Sequence, residues 1–220
     1  MNQSADRAVL LQQIKQFDPV NDVIPRVISL FSASCTFADT EILEESLKLG
    51  KKYNISRDNF YEAVLQSYLF IGFPRMLSAA FVLDKIFPNE NTRSENHESI
   101  VDILGIWNKR GEELYKKVYK DKSEILKNRV VSIAPEIYEW MILEGYGKVL
   151  SRNILDIKTR ELSIIAILMM ENRLIQLESH IRGAINVDTP MSIIETVIND
   201  IGEASGDGYK NALGILSGLK

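Results

Sequence analysis

Cysteine, histidine and long apolar stretches are scarce in this 220-residue chain, and each scarcity excludes a class of protein. A single cysteine, Cys35, cannot form a disulfide framework or an intrachain dithiol centre. The two histidines lie far apart in the sequence and lack the spacing of the usual zinc sites. The longest apolar run, residues 164–170, is too short to span a bilayer. We therefore expect no bound metal and a cytoplasmic rather than a membrane location.

Strand-like patterns and an excess of basic charge are also missing from the sequence. No run alternates apolar and polar residues as a half-buried strand does. The formal net charge is −4, and the basic residues within 109–129 are interleaved with acidic ones, as on a solvated helix face. The hydrophobic share is 45%, and glycine and proline are few. This composition is typical of long helices joined by short loops, so we predict an all-α protein that does not bind nucleic acid.

Residues 155–195 contain the most informative pattern, which predicts three consecutive helices. Asp156 can serve as the N-cap of the first helix, whose apolar residues recur at helical spacing. Residues 171–172 interrupt the pattern before a second helix begins. Thr189 is the expected N-cap of the third helix, with Pro190 at its first helical position.

The first two of these helices carry polar residues on faces that should be apolar. Glu161 lies on the apolar stripe of the first helix, and Arg173, Gln176 and His180 form one line along the second. Burying a carboxylate or an imidazole is costly unless the group is paired. We therefore expect Glu161 and His180 to point toward the same interior, for a structural or a chemical reason.

A distinctive order of motifs runs through this part of the chain. The string LDIKTREL is followed by a helix, by QLESHIRGAI, by a short turn and by SIIETV. In this order the chain resembles the carboxymuconolactone decarboxylase family, which includes the thiol peroxidase alkylhydroperoxidase D. The resemblance covers roughly residues 111–200 and places Glu161 and His180 at the family's acid and histidine. It implies an alkylhydroperoxidase D-like helical fold and a homo-oligomer, a trimer or a hexamer.

Two positions distinguish the branches of that family. The peroxidases have cysteines seven and four residues before the histidine, where this chain has Arg173 and Gln176. We therefore do not expect thiol peroxidase activity, which needs a dithiol. The decarboxylase branch has an arginine and a glutamate there, so that Arg173 agrees with its pattern and Gln176 departs from it. Its Trp-Gly motif appears here as Tyr146-Gly147, with Arg152 following.

The resemblance implies a cofactor-free lyase that acts on a small carboxylated lactone or a related acid. In that reaction His180 would transfer a proton to carbon, and Glu161 would orient the imidazole. Arg173 and Arg152 would bind the anionic substrate, because a guanidinium group pairs with a carboxylate. Gln176 could orient a substrate carbonyl group.

Each of these residues also has a structural interpretation. Glu161 could pair with an arginine such as Arg160 or Arg182, and Arg173 could pair with a neighbouring glutamate. His180 could be a core histidine whose hydrogen bonds are satisfied. The alternative for the whole protein is therefore a non-catalytic helical oligomer or a small-ligand-binding protein.

A weaker similarity relates the two halves of the chain. Residues 56–64 align with residues 189–197, each beginning with a cap residue that is followed six places later by an acid. Counting back from these caps puts Leu47 in the place of His180, and we find nothing before it that resembles TREL. We predict three segments: a degenerate first repeat (1–90), a linker and connecting helix (91–110), and a carboxymuconolactone decarboxylase-like repeat (111–220). His97 is expected to be exposed in the linker.

Overall fold

The computed structural model describes residues 5–89 and 100–219, and this part of the chain is all-α, as the sequence predicts. Its α-helices are α1 (Arg7–Gln16), α2 (Val23–Cys35), α3 (Thr40–Lys52), α4 (Arg57–Ile86), α5 (Ile100–Tyr119), α6 (Ser123–Ile133), α7 (Pro135–Trp140), α8 (Ile157–Met170), α9 (Leu174–Asn186), α10 (Met191–Ile201) and α11 (Asp207–Ser217). A π-helix covers Met141–Leu150, and short 3₁₀ helices cover Lys120–Lys122 and Gly202–Ser205. None of the helices in the described part is both long enough and apolar enough to cross a bilayer. His97 and residues 91–99 of the predicted linker segment lie outside the described residues.

Contacts between the helices divide the chain into two compact units. The first unit comprises Met1–Pro88 together with Ile154–Lys220, and the second comprises Asn89–Asn153. The predicted segments 1–90, 91–110 and 111–220 are based on the similarity between the two halves of the sequence, and not on how the helices pack. They remain a prediction.

The core of the first unit is built on two buried helices, α2 and α8, which pack against each other. Residues 27–35 of α2 and residues 159–170 of α8 are all buried. A helix that is buried on every side needs neighbours on every side. Helix α2 is covered by α3, α4 and α10, and α8 is covered by α4, α9, α10 and α11.

The helices around this core occur in the same order in both halves of the unit. Helices α2, α3 and α4 correspond in order to α8, α9 and α10, and a break at Gly72 divides α4 so that its second part corresponds to α11. Gly72 has φ +77° and ψ 166°, a combination that is open mainly to glycine. Helix α4 packs on α8, and α10 packs on α2. Each half thus contributes a helix that packs on the central helix of the other half.

Local sequence accounts for most of the helix starts that position the candidate site. The side chain of Asp156 accepts a hydrogen bond from the Thr159 backbone N–H, which confirms the predicted cap of α8. The predicted cap of the third helix is wrong. Pro190 has an extended ψ of 136°, so α10 begins at Met191, one residue later than predicted. The hydroxyl group of Thr189 is buried and has no hydrogen-bond partner among the described residues.

In the second unit, α5 packs closely on the π-helix because two glycines face backbone carbonyl groups. A Cβ atom on Gly111 would lie 2.1 Å from the Ile142 carbonyl oxygen. A Cβ atom on Gly147 would lie 2.0 Å from the Trp107 carbonyl oxygen. Beside this contact four tyrosine rings pack together, namely Tyr115, Tyr119, Tyr138 and Tyr146.

Candidate functional site

Glu161 and His180 meet in the interior of the first unit. Helices α8 and α9 pack against each other, and Nδ1 of His180 lies 2.9 Å from Oε2 of Glu161. Glu161 is fully buried, and His180 retains 7% of its exposed area. The two side chains on which the sequence pattern depends therefore form a direct hydrogen bond.

An ionised carboxylate determines which ring nitrogen of the His180 imidazole carries a proton in this pair. An ionised carboxylate can only accept hydrogen bonds, so a contact with ionised Glu161 assigns a proton to Nδ1 of His180. The second ring nitrogen, Nε2, is then the one that can exchange a proton with a ligand. Oxygen Oε1 of Glu161 is also buried and has no hydrogen-bond partner among the described residues. A buried, unsatisfied carboxylate oxygen is unfavourable for stability, so this pair is not optimised for stability alone.

An aromatic ring from the first half of the chain contacts the imidazole. The rings of Phe70 and His180 have centroids 5.6 Å apart and planes at 81°, an edge-to-face arrangement. Phe70 is half-buried near the end of the first part of α4, two residues before the break at Gly72. His180 therefore has a carboxylate at Nδ1 and an aromatic ring against its own ring.

Arg160, which precedes Glu161 in the chain, is engaged elsewhere. Its Nη2 atom donates to Oε2 of Glu62 at 2.7 Å, and both side chains are fully buried. Its Nη1 atom donates to Oε1 of Gln66 at 3.2 Å, and its Nε atom donates to the Leu155 carbonyl oxygen at 3.1 Å. The other arginine named from sequence as a partner, Arg182, pairs with Glu178 at 2.8 Å on the surface of α9. Glu161 is thus paired with His180 rather than with either arginine.

The other predicted site residues lie at the exposed start of α9 or in the second unit. Arg173 is the N-cap residue of α9, and its side chain is 64% exposed and 3.9 Å from Glu171. Gln176 is exposed in the first turn of α9. Arg152 belongs to the second unit, directly after its π-helix, where its backbone N–H donates to the Val149 carbonyl oxygen.

The structure also reveals a counterpart of the TREL helix that the sequence comparison missed. Arg26 is the fourth residue of α2, as Arg160 is of α8, and each follows an aspartate by four positions. Arg26 forms a bidentate pair with Asp200 on α10, at 2.7 and 2.8 Å. Arg26 of α2 thus binds an acid of the second half, and Arg160 of α8 binds an acid of the first half. The repeated Asp-x-x-x-Arg spacing is the signal that could have identified this correspondence.

This correspondence shows what occupies the place of the polar pair in the first half. Val27 follows Arg26 as Glu161 follows Arg160, and Leu47 occupies the position that matches His180. Val27 and Leu47 are both fully buried. The first half therefore has apolar side chains at the two positions where the second half has a carboxylate and an imidazole.

Two further findings bear on the identity of the site. Within residues 5–89 and 100–219, no three His, Cys, Asp or Glu side chains come close enough together to hold a metal ion. No family model matches the chain, and no curated protein is significantly similar to it. The assignment to a family therefore remains an inference from the motifs and their spacing.

Proposed function

We propose that this chain is a carboxymuconolactone decarboxylase-like protein of the cytoplasm, a homo-oligomer that transfers protons on a small carboxylated lactone or a related acid without a cofactor. One observation carries the proposal, namely the 2.9 Å contact between Glu161 and His180 in the interior of the first unit. A hydrogen-bonded carboxylate and imidazole form the usual pair for general acid–base chemistry. The resemblance to the decarboxylase branch supplies the substrate class.

The proposed reaction assigns the proton to His180. Cleavage of the bond between the substrate carbon and its carboxylate releases CO₂ and leaves an electron pair on carbon. That pair delocalises into the conjugated carbonyl as an enolate. Protonated His180 then donates the Nε2 proton to carbon, and the neutral imidazole regains a proton from solvent. Glu161 stabilises the imidazolium and holds Nδ1 of the ring, while Arg173, at the start of the helix that carries His180, is the candidate for binding the anionic substrate.

The first half of the same chain supports a functional rather than a structural reason for the pair. The corresponding positions there are occupied by Val27 and Leu47, both fully buried. The first half, whose helices occur in the same order, therefore packs with apolar residues at these two positions. Placing a carboxylate and an imidazole in such an interior costs desolvation energy that apolar residues avoid. A role in catalysis or ligand binding explains why the second half has these two polar residues despite the cost of burying them.

The alternative proposal is a helical oligomer or small-ligand-binding protein without catalysis. The exposure of Arg173 and Gln176 favours it, because both side chains are open to solvent while Glu161 and His180 are buried. Under this alternative, a ligand would still contact His180, but no bond would be broken.

The test is ultraviolet-monitored turnover of 4-carboxymuconolactone by the wild type, by His180→Ala and by Glu161→Gln. We expect turnover by the wild type and a loss of at least about 100-fold in each variant, the usual size of a general acid–base contribution. Glu178→Gln is the matched control, since this acid lies on α9 but pairs with Arg182 at the surface. Circular dichroism and light scattering of each variant establish that the fold and the oligomer are retained.

A double variant that copies the residues of the first half completes the test. Glu161→Val with His180→Leu should fold and lack turnover. Wild-type protein that is folded but does not turn over the lactone would rule out the named activity. Binding of small carboxylates, detected by a change in the His180 imidazole NMR signals, would then support the non-catalytic alternative.

A further inference from the structure

We propose that α4, a helix of the first half of the chain, completes the site around His180, with Phe70 as the positioning residue that sets the orientation of the imidazole. This inference rests on the proposed function, in which Nε2 of His180 delivers a proton. Phe70 itself is not assigned any contact with substrate.

Three residues on one face of α4 carry the inference. Glu62, Gln66 and Phe70 follow one another at intervals of four, so they lie along the same side of the helix. Glu62 and Gln66 hold the guanidinium group of Arg160 at 2.7 and 3.2 Å. This face of α4 is therefore fixed to α8 at the residue that precedes Glu161.

The same face ends at the imidazole. Phe70 lies one turn beyond Gln66 and meets the His180 ring at a centroid distance of 5.6 Å. The helix breaks two residues later at Gly72, where φ is +77°. Because the break comes after Phe70, the ring is still carried by the part of α4 that the buried ion pair anchors. Phe73, beyond the break, is 59% exposed and stacks on Tyr68 instead.

A hydrogen bond restrains the plane of an imidazole without locking it in a single orientation. The contact between Nδ1 and Glu161 restrains the second side-chain torsion of His180 but leaves a range of ring orientations, since that torsion is broad and hydrogen bonds tolerate a range of angles. An edge-to-face contact with Phe70 narrows this range. Nε2 is then held in one direction, and the geometry of a proton donor has large effects on the rate of reaction. We therefore expect loss of the Phe70 ring to affect the chemical step more than substrate binding.

The experiment compares Phe70→Leu with Phe73→Leu, a matched control on the same helix whose ring does not contact His180. We expect Phe70→Leu to lower kcat about fivefold to tenfold, the effect of losing an aromatic pair, while KM changes less than about twofold. Phe70→Tyr keeps the ring and should retain kcat. Phe73→Leu should leave kcat and KM unchanged.

A second measurement follows the imidazole itself. Proton–carbon NMR spectra should show the His180 ring signals displaced in Phe70→Leu, because the ring-current effect of the phenyl group is lost, and unchanged in Phe73→Leu. The signal that disappears in His180→Ala provides the assignment. Unchanged His180 signals in Phe70→Leu would overturn the contact, and displaced signals with unchanged kcat would overturn the positioning role.

The proposal can also be tested if the lactone is not a substrate. Diethylpyrocarbonate modifies accessible imidazole nitrogens, and its rate of reaction at His180 can be followed by mass spectrometry. We expect that rate to change at least twofold in Phe70→Leu and to stay at the wild-type value in Phe73→Leu. Equal rates in the two variants would overturn the role of Phe70, whereas absence of turnover in the wild type would overturn only the proposed function.

Discussion

Replacement of Glu62 by glutamine should destabilise the first unit by about 3 kcal/mol. Glu62 and Arg160 are both fully buried, and Nη2 of the arginine lies 2.7 Å from the carboxylate. Removing one charge of a buried pair leaves the other without compensation, which typically costs about 3–5 kcal/mol. The lower end applies here, because Gln66 and the Leu155 carbonyl oxygen still accept hydrogen bonds from the guanidinium group.

Thermal unfolding followed by circular dichroism measures this effect. A loss of about 3 kcal/mol in a chain of this size corresponds to a fall in Tm of roughly 6–12 °C. Asp200→Asn provides a matched comparison, because it removes the acid from the related Arg26 pair, whose side chains are 17% and 11% exposed. Water can reach that site, so we expect a smaller loss, about 1–2 kcal/mol.

A double variant separates charge burial from packing. Glu62→Met combined with Arg160→Met removes both charges and replaces them with flexible apolar side chains. We expect this variant to be more stable than Glu62→Gln, because no uncompensated charge remains. A loss below about 1 kcal/mol for Glu62→Gln, or a double variant less stable than Glu62→Gln, would refute this account of the pair.

Two further predictions concern packing and reactivity. Gly111→Ala should cost about 3 kcal/mol or more, because its Cβ would lie 2.1 Å from the Ile142 carbonyl oxygen. Gly145→Ala, whose Cβ would meet open space, should be neutral in the same thermal melts, and equal losses would contradict the packing argument. Cys35 should resist thiol reagents at pH 8 in the folded protein and react after unfolding, because burial raises the pKa of its thiol. Rapid labelling of the native protein would contradict this expectation.

The sequence pattern was sufficient for α8, for α9 and for the central contact between them. Glu161 and His180 lie on the apolar faces of consecutive helices, and two such faces must turn toward one interior. The cap at Asp156 and the break after Met170 follow from local sequence in the same way. These features depend on residues close together in the chain, where spacing determines geometry.

Spacing along a helix was not sufficient for Arg173 and Gln176. Both lie on one line with His180, but all residues from 172 to 176 are exposed, so the start of α9 is solvent-accessible on every side. Periodicity identifies a shared face and does not show how far along the helix that face remains covered.

Contacts across long stretches of sequence could not be predicted at all. Glu62 and Phe70 precede their partners Arg160 and His180 by about a hundred residues, with no local motif to connect them. A buried arginine requires an acid, but nothing in the sequence identifies which of the 30 acidic residues is the partner.

These long-range contacts limit what the second half of the chain can do alone. The motifs that resemble the decarboxylase family lie within residues 111–200, yet the acid that neutralises Arg160 and the ring against His180 both come from α4. A second half without α4 would have an uncompensated guanidinium group in its core and an imidazole without its aromatic neighbour. The first half has apolar residues where its own pair would be, and it supplies the surface that supports the pair of the second half. The buried pair of the second half is therefore surrounded by residues from both halves.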